Sequence, residues 1–282
     1  MNDPLTPSSA PTIGVFDSGF GGLTVLRALI DRLPSARFAF IGDTARLPYG
    51  SKSRRTIARY AAESAQFLVR EQGAEFLVIA CNTASALALD AIQDAVPVPV
   101  LGVIEPGAEA ARAASRSNDV LVIATDATVH SHAYQAACNH RGLRALEMAC
   151  PLLVPLVEEG WTDHPVTEQV IRIYLDELNA TAAADGMHPD TLVLGCTHYP
   201  LLRPLMERAV PAGMRVIDSA ESAAAAAAAM INGRATAVQP GSAAIDTEIR
   251  CFATDSVEKF ERLGSRFLGR PVGQVQLVDL GG

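Results

Sequence analysis

The chain lacks the features that mark three common classes of protein. Its 282 residues carry 23 Lys and Arg against 31 Asp and Glu, which gives a formal net charge of −8, whereas the phosphate backbone of nucleic acid favours clustered positive charge. The longest apolar run, residues 76–89, is too short to span a bilayer and is interrupted by Asn82 and Thr83. No basic stretch followed by an apolar one opens the sequence. We therefore expect no nucleic-acid partner, no membrane association and no signal peptide.

Cysteine is scarce, and its pattern excludes two kinds of structural site. The five cysteines are an odd number, lie far apart and form no C-x-x-C pair, which excludes a disulfide scaffold and a structural zinc site. Free thiols of this kind are typical of a reducing compartment. The cysteines are Cys81, Cys138, Cys150, Cys196 and Cys251.

Lysine is rarer still, and the histidines do not form a metal cluster in the sequence. The only lysines are Lys52 and Lys259, and neither follows a predicted strand, which argues against a pyridoxal-phosphate enzyme with a Schiff-base lysine. His130 and His132 form a close pair, but a third ligand is missing and the pair opens a helical pattern. We expect neither a metal nor an organic cofactor.

What the sequence does contain is an alternation of short apolar runs with longer helical patterns. This alternation predicts an α/β fold with mostly parallel sheets, in which ligands bind at the carboxyl ends of the strands. The predicted strands are 13–16, 38–42, 76–80, 98–103, 120–124, 192–195, 216–218 and 275–279. The predicted helices include 22–32, 54–71, 83–95, 166–184 and 220–231.

A faint internal repeat suggests two related halves. Residues 77–83, LVIACNT, resemble residues 192–198, LVLGCTH, and the two cysteines are 115 residues apart. The strands at Ile13 and Val120 are separated by a similar 107 residues. We expect two pseudo-symmetric α/β domains, with residues 1–103 and 216–282 forming the first and residues 104–215 the second. The active site would lie in the cleft between them.

Cys81 and Cys196 are the residues most suited to chemistry. Each follows an apolar strand and precedes a small polar residue and a predicted helix, whose N-terminal dipole and free N–H groups would favour a thiolate. Two thiols at one cleft could remove a proton from one face of a carbon and return one to the other face. The alternative is that both are buried structural cysteines.

Each thiol would need an activating neighbour. Asp17 ends the first predicted strand, at the same sheet edge as Cys81, and His198 lies two residues after Cys196. The alternative for Asp17 is an N-cap of the helix that begins near Gly22.

At these residues the sequence resembles the glutamate racemase family. The resemblance covers nearly everything after the first dozen residues. It is carried by FDSGFGG (16–22), GDTARLPYG (42–50), ACNTAS (80–85), GVIEPGA (102–108), ACPLLVPLVEEG (149–160), GCTHYPLL (195–202) and the tail region 252–269. Ala124 departs from a glycine that the family commonly has before Thr125, which leaves the reach of Thr125 undetermined.

The resemblance implies a role for each matching residue. Cys81 and Cys196 match the catalytic thiols, which act on D-glutamate and L-glutamate respectively. Asp17 matches the group that assists the first thiol, and His198 with Glu158 matches the groups that assist the second. Matches to substrate-binding residues are Asp17, Ser18, Tyr49, Gly50, Asn82, Thr83, Thr128, Thr197 and His198.

The resemblance also implies an activity: cofactor-independent racemisation of L-glutamate to D-glutamate, which supplies peptidoglycan synthesis in the cytoplasm. We expect a homodimer. The alternatives are an aspartate racemase or related decarboxylase, although a one-thiol decarboxylase would not need both cysteines. From another class, the protein could be a catalytically silent binding module such as an inhibitor of DNA gyrase.

Overall fold

Parallel β-strands form the framework of the protein. The computed structural model describes residues 10–233 and 247–281, so the opening residues 1–9 of the expected first domain lie outside the described part. The strands are β1 (Thr12–Asp17), β2 (Arg37–Gly42), β3 (Phe76–Ile79), β4 (Val100–Gly102), β5 (Asp119–Ala124), β6 (Arg144–Ala149), β7 (Thr191–Gly195), β8 (Arg215–Asp218), β9 (Ile249–Ala253) and β10 (Val275–Leu277).

Helices connect these strands and cover the sheets. They are α1 (Leu23–Arg32), α2 (Arg54–Arg70), α3 (Asn82–Leu87), α4 (Leu89–Ala95), α5 (Ile104–Ala114), α6 (Asp126–His130), α7 (Ala133–Asn139), α8 (Leu153–Glu158), α9 (Pro165–Ala184), α10 (Arg203–Ala209), α11 (Ser219–Asn232) and α12 (Val257–Leu268). Two short 3₁₀ turns, Tyr49–Ser51 and Tyr199–Leu202, lie between them. Within the described residues, no helix has both the length and the apolar character needed to cross a membrane.

The strands form two sheets with related topology. The first sheet has the order β10-β9-β2-β1-β3-β4 and the second has the order β6-β5-β7-β8. All recorded strand pairs are parallel. The order β2-β1-β3-β4 in the first sheet corresponds strand for strand to β6-β5-β7-β8 in the second. The predicted α/β fold with two mostly parallel sheets is confirmed.

The eight predicted strands are present, but two further strands were missed. The missed strand β6 lies at the edge of the second sheet, and it carries Arg144 and Glu147 where a buried strand would be apolar. The missed strand β9 lies inside the first sheet but contains Arg250, whose guanidinium reaches Gln72. In both strands, charged side chains interrupt the continuous apolar run used to recognise the others.

The helix predicted over 83–95 is broken into α3 and α4. Ala88 has φ −136° and ψ 3°, outside the helical region, and it is buried. The break frees the carbonyl of Leu87, which accepts a hydrogen bond from Nε of Arg54 at 3.1 Å. A partner on α2, 33 residues earlier in the chain, thus satisfies the backbone group exposed by the break.

The expected return to the first domain at residue 216 falls inside a strand of the second sheet. Strand β8 pairs with β7 over Arg215–Asp218, so the chain leaves the second sheet only after Asp218. The apolar residues of β8 are needed to complete this sheet, which a boundary at 216 would divide. With that change, the division into two domains, one around each sheet, remains our proposal.

The largest apolar core joins the two sheets through α1 and α11. Leu23 and Leu26 of α1 belong to the same buried cluster as Leu121 and Leu192 of the second sheet. Ala223 and its neighbours in α11 are also buried in this cluster, and their small side chains allow the helices to approach closely. The loops at the carboxyl ends of the two sheets are therefore held against each other.

Candidate active site

A cavity of about 430 Å³ lies where the carboxyl ends of the two sheets meet. Loops that follow β1, β2 and β3 form one side, and loops that follow β5, β6 and β7 form the other. Both Cys81 and Cys196 line this cavity, and each is only 5% exposed. The structure therefore brings together two thiols that are 115 residues apart in the sequence.

Cys81 lies at the N-terminus of α3. Its backbone is extended, and its sulfur accepts a hydrogen bond from the backbone N–H of Ala84 at 3.4 Å, as an N-cap side chain does. The thiol can donate to the Ser18 hydroxyl, also at 3.4 Å. The predicted position of Cys81 at the start of a helix agrees with the structure.

The environment of Cys81 nevertheless favours the protonated thiol. Burial, followed by the negative charge of Asp17, raises the pKa of Cys81 to about 12, although the hydrogen bonds from Ser18 and Ala84 act to lower it. Desolvation and the nearby carboxylate thus outweigh the effect of the helix N-terminus, which was expected to favour a thiolate here.

Asp17 is buried beside this thiol. One carboxylate oxygen accepts a hydrogen bond from the Gly19 N–H at 3.0 Å, and the other, Oδ1, is buried with no partner among the described residues. Burial raises the pKa of Asp17, while the charge of His198 acts to lower it. Helix α1 is capped at Gly22 without a side-chain hydrogen bond, so Asp17 is not its N-cap. The carboxylate is left to face the site.

Cys196 follows β7 in a different local structure. A 3₁₀ turn begins at Tyr199, whose N–H donates to the Cys196 carbonyl at 3.1 Å. An α-helix starting here would need the next N–H to bond to that carbonyl, but Pro200 has none. The predicted helix directly after Cys196 is therefore wrong, and the first α-helix beyond it, α10, begins at Arg203.

His198 connects Cys196 to a carboxylate. Its Nδ1 lies 3.9 Å from the Cys196 sulfur, and its Nε2 lies 3.3 Å from Oε1 of Glu158. Burial alone would lower the pKa of His198, but the hydrogen bonds and charges of Cys196 and Glu158 raise it to about 10. The ring is therefore an imidazolium at neutral pH.

Glu158 is held from both sides. Its second oxygen, Oε2, lies 3.7 Å from Nζ of Lys259, which α12 contributes from the first sheet's side. Burial alone would raise the pKa of Glu158, but His198 and then Lys259 lower it, so the group is a carboxylate. Cys196, His198, Glu158 and Lys259 form a chain of alternating partners across the cleft, and sequence reasoning missed its last member.

Three threonines form a hydrogen-bonded triangle between the two sides of the cavity. Thr83 lies 3.0 Å from Thr125 and 3.3 Å from Thr128, and the hydroxyls of Thr125 and Thr128 are 2.9 Å apart. Thr83 and Thr125 line the cavity, whereas Thr128 is fully buried and does not. Thr128 lies behind the other two threonines, and Thr125 is the residue of this loop that lines the cavity, so the predicted contact of Thr128 with substrate stays a prediction.

The other predicted polar residues also line the cavity, and they differ in how far their side chains are already hydrogen-bonded within the protein. Ser18 and Thr197 line it, as does Asn82. The amide of Asn82 is already engaged, since it accepts from the Tyr134 hydroxyl at 2.7 Å and donates to Ser219 at 3.4 Å. Asn82 therefore connects the N-terminus of α3, next to Cys81, to α7 and α11, and it also lines the cavity.

Tyr49 and Gly50 lie in the first 3₁₀ turn and line the cavity from the first side. The hydroxyl of Tyr49 donates to the buried carboxylate of Asp43, and burial raises the pKa of this phenol well above its usual value. Gly50 faces Thr125, because a Cβ added to this glycine would lie 3.7 Å from the Thr125 Cβ. The Tyr49–Ser51 turn thus lies opposite the residue that follows β5 in the second sheet.

Several residues of the site carry no sequence signal of their own. Leu47, Val154 and Pro155 form apolar parts of the wall, and Asp126 lies exposed at the edge. His130 and His132 are directed elsewhere, towards the Asp126 backbone and Glu147. In residues 10–233 and 247–281, no three His, Cys, Asp or Glu side chains form a group that could hold a metal ion.

Comparisons with known proteins show which family the chain belongs to. Residues 21–227 match the family model described as Asp/Glu/Hydantoin racemase. A glutamate racemase of Koribacter versatilis is 53% identical, over 96% of this chain and 98% of the relative. The solved glutamate racemase RacE1 of Bacillus anthracis is 35% identical with a TM-score of 0.86, covering 96% of this chain and 98% of that one.

A second solved relative contains an amino acid. The glutamate racemase of Francisella tularensis, in complex with D-glutamate, is 33% identical with a TM-score of 0.83, again covering 96% of this chain and 98% of that one. These similarities confirm the resemblance drawn from the motifs. The chain therefore belongs to the Asp/Glu/Hydantoin racemase family, within its group of glutamate racemases.

Proposed function

We propose that the protein interconverts L-glutamate and D-glutamate with two acid/base thiols, Cys81 and Cys196, and without a metal or an organic cofactor. The observation that carries the proposal is that both thiols line one cavity, each beside its own ionisable partner. The choice of glutamate is supported by the curated relatives of that name. A pyridoxal-phosphate mechanism fits poorly, since neither Lys52 nor Lys259 is among the residues that line the cavity.

The surroundings of the two thiols favour a protonated Cys81 thiol and a protonated His198 imidazole. Racemisation by two bases needs opposite protonation states on the two faces of the substrate carbon. The thiol of Cys81 can serve as the acid, and Cys196, whose sulfur lies 3.9 Å from Nδ1 of His198, can serve as the base. This state suits L-glutamate as the first substrate, in agreement with the roles that the family resemblance implies.

The reaction then proceeds with balanced proton transfers. The Cys196 sulfur removes the Cα proton of L-glutamate, and the electron pair of that bond remains on the substrate. The Cys81 thiol donates its proton to the opposite face of Cα, which gives D-glutamate. Cys196 ends as a thiol and Cys81 as a thiolate. D-glutamate reacts in the reverse sense from that state, and exchange with water restores the first one.

The polar groups around the cavity suit a small zwitterion with two carboxylates. Hydroxyls of Ser18, Thr83, Thr125 and Thr197 can donate to carboxylate oxygens. The unpartnered Oδ1 of Asp17 can accept from the substrate ammonium, which would satisfy an oxygen that is otherwise buried without a partner.

The wider setting follows from the family resemblance. We place the reaction in the cytoplasm, where D-glutamate would supply peptidoglycan synthesis, and we expect the protein to be a homodimer.

Isotope labelling tests the two-base reaction. Purified protein, with chelator and without added cofactor, would be incubated with L-glutamate in deuterium oxide, and the separated enantiomers analysed by mass spectrometry at low conversion. Early D-glutamate should carry deuterium at Cα, because the second thiol has exchanged with solvent, while recovered L-glutamate stays largely unlabelled. A parallel incubation with L-aspartate distinguishes an aspartate racemase.

Two outcomes would overturn this reading. Early product that carries mainly the original proton would indicate one base that transfers the same proton between faces. Loss of activity on chelation would indicate a metal.

A further inference from the structure

The residue that the site leaves unexplained is Asp43, which directly follows β2. Its side chain is fully buried, at 0% exposure, and it does not line the cavity. Its backbone N–H donates to the carbonyl of Asp17 at 3.0 Å. Asp43 thus contacts a residue that lines the cavity. Burying a charge is costly unless partners compensate it, so this buried carboxylate calls for an explanation.

The side-chain partners of Asp43 come from its own loop and from the residue that follows β9. Nε of Arg46 donates to both carboxylate oxygens, at 2.9 and 2.8 Å. The Thr254 hydroxyl, just after β9, donates to Oδ1 at 2.9 Å, and the Tyr49 hydroxyl donates to Oδ2. Arg46 is anchored in turn by Glu63 of α2. This fully paired carboxylate therefore fixes the loop of residues 43–51 against the rest of the first sheet.

The hydrogen bond from Tyr49 determines which part of this tyrosine is available to a ligand. Its hydroxyl is committed to Asp43, and its ring is 1% exposed and packs against Phe16 and Tyr60 at centroid distances of 6.1 and 6.3 Å. The Tyr49–Ser51 turn therefore lines the cavity while the Tyr49 hydroxyl is held by Asp43, and Gly50 lies opposite Thr125.

We propose that Asp43 is a positioning residue: by holding the Tyr49 hydroxyl it sets the place of the Tyr49–Ser51 turn against the bound amino acid, without touching that amino acid itself. The inference rests on the proposed racemisation of glutamate. It assigns Asp43 to substrate binding and leaves proton transfer to the thiols, which lie on other loops.

The test is a double-mutant cycle on Asp43→Asn and Tyr49→Phe, measured as glutamate racemisation. Tyr49→Phe deletes the hydroxyl and Asp43→Asn replaces its charged acceptor by a neutral amide, so each should raise KM by about five- to a hundredfold, the effect of disturbing one buried polar partner. The value of kcat and the primary deuterium isotope effect should stay near those of the wild type. The double variant should be no worse than Asp43→Asn alone, because both changes act through the same bond.

Two further variants keep the result interpretable. Tyr60→Phe removes a hydroxyl from the neighbouring ring and is the matched control, which should leave KM unchanged. Thr254→Val removes a different partner of Asp43 and should raise KM less than Tyr49→Phe; it substitutes for Asp43→Asn if that variant fails to fold, as judged by its thermal transition.

The outcomes separate this inference from the proposed function. Wild-type protein that does not racemise glutamate would contradict the proposed function. An active wild type whose Tyr49→Phe variant has a raised KM, while Asp43→Asn does not, would overturn the positioning role and place the hydroxyl on the substrate. A fall in kcat at constant KM in Asp43→Asn would overturn it as well.

Discussion

The surroundings of the two thiols differ although the strands that carry them correspond. Cys81 caps an α-helix beside a buried carboxylate, whereas Cys196 precedes a 3₁₀ turn beside an imidazolium. An anion next to the first sulfur keeps its proton in place, and a cation next to the second can exchange a proton with it. In the proposed reaction, the repeated scaffold presents one thiol to each face of the substrate carbon, and the unlike neighbours give the two thiols different roles.

The largest effect should come from removing either thiol. Cys81→Ala and Cys196→Ala should each lower the racemisation rate by at least the ~10²–10⁴-fold that acid–base catalysis contributes, because one face of the substrate loses its proton donor or acceptor. Circular dichroism with each enantiomer of glutamate measures the rate. Cys251→Ala and Cys138→Ala remove buried thiols outside the cavity, one from each sheet's side, and should retain activity. A near-normal rate in Cys81→Ala or Cys196→Ala would show that the thiol removed is not one of the two acid/base groups.

A smaller effect should distinguish the partners of the thiols. Asp17→Asn and His198→Asn should both slow the enzyme, and their deuterium isotope effects should differ between L-glutamate and D-glutamate. The overall equilibrium cannot change, since the enantiomers have equal free energy. Identical isotope effects in both variants and both directions would show that the partners are shared.

The same two variants should differ in pH dependence. The pKa of His198 is raised to about 10 from 6.5, so the imidazolium is present below that pH and is lost as the pH rises through it. The wild-type rate with L-glutamate should fall over that alkaline range. His198→Asn should lack this fall and Asp17→Asn should keep it.

The smallest effect is expected at Lys259, the last member of the chain of partners that runs from Cys196 through His198 and Glu158. Lys259→Met removes the cation beside Glu158, and since partly exposed ion pairs are worth roughly 0.2–1 kcal/mol, kcat/KM should fall by at most about fivefold. Arg262→Met removes an exposed charge from the same helix and is the matched control. If kcat/KM fell more than tenfold in Lys259→Met and not in Arg262→Met, this lysine would contribute far more to the reaction than a partly exposed ion pair can.

The sequence predicted those parts of the fold that depend on continuous apolar runs. Strands β1, β3 and β7 are buried throughout, so their composition alone identifies them. The edge strand β6 was missed because Arg144 and Glu147 interrupt its apolar run. The break at Ala88 was missed too, because the group that stabilises it is Arg54 on another helix.

The site was predictable where function resides in short motifs. The thiols and their immediate neighbours follow strand ends, so the sequence could place each thiol at the carboxyl edge of its own sheet. Thr125 and Thr128 lie three residues apart, and only the structure shows which of them lines the cavity. Lys259 and Thr254 reach their partners from far along the chain, and no local pattern encodes such contacts.

Gly21 allows the loops of the two sheets to approach each other closely at the cleft. A Cβ at this position would lie 2.3 Å from the hydroxyl oxygen of Thr197 and 2.6 Å from Nδ1 of His198, so any side chain would force the loops of the two sheets apart. The same place is secured by the Thr24 hydroxyl, which donates to the Thr197 carbonyl at 3.1 Å. In the proposed reaction, the distance between the two thiol loops therefore depends on the missing Cβ of Gly21, a residue that takes no part in the proton transfers.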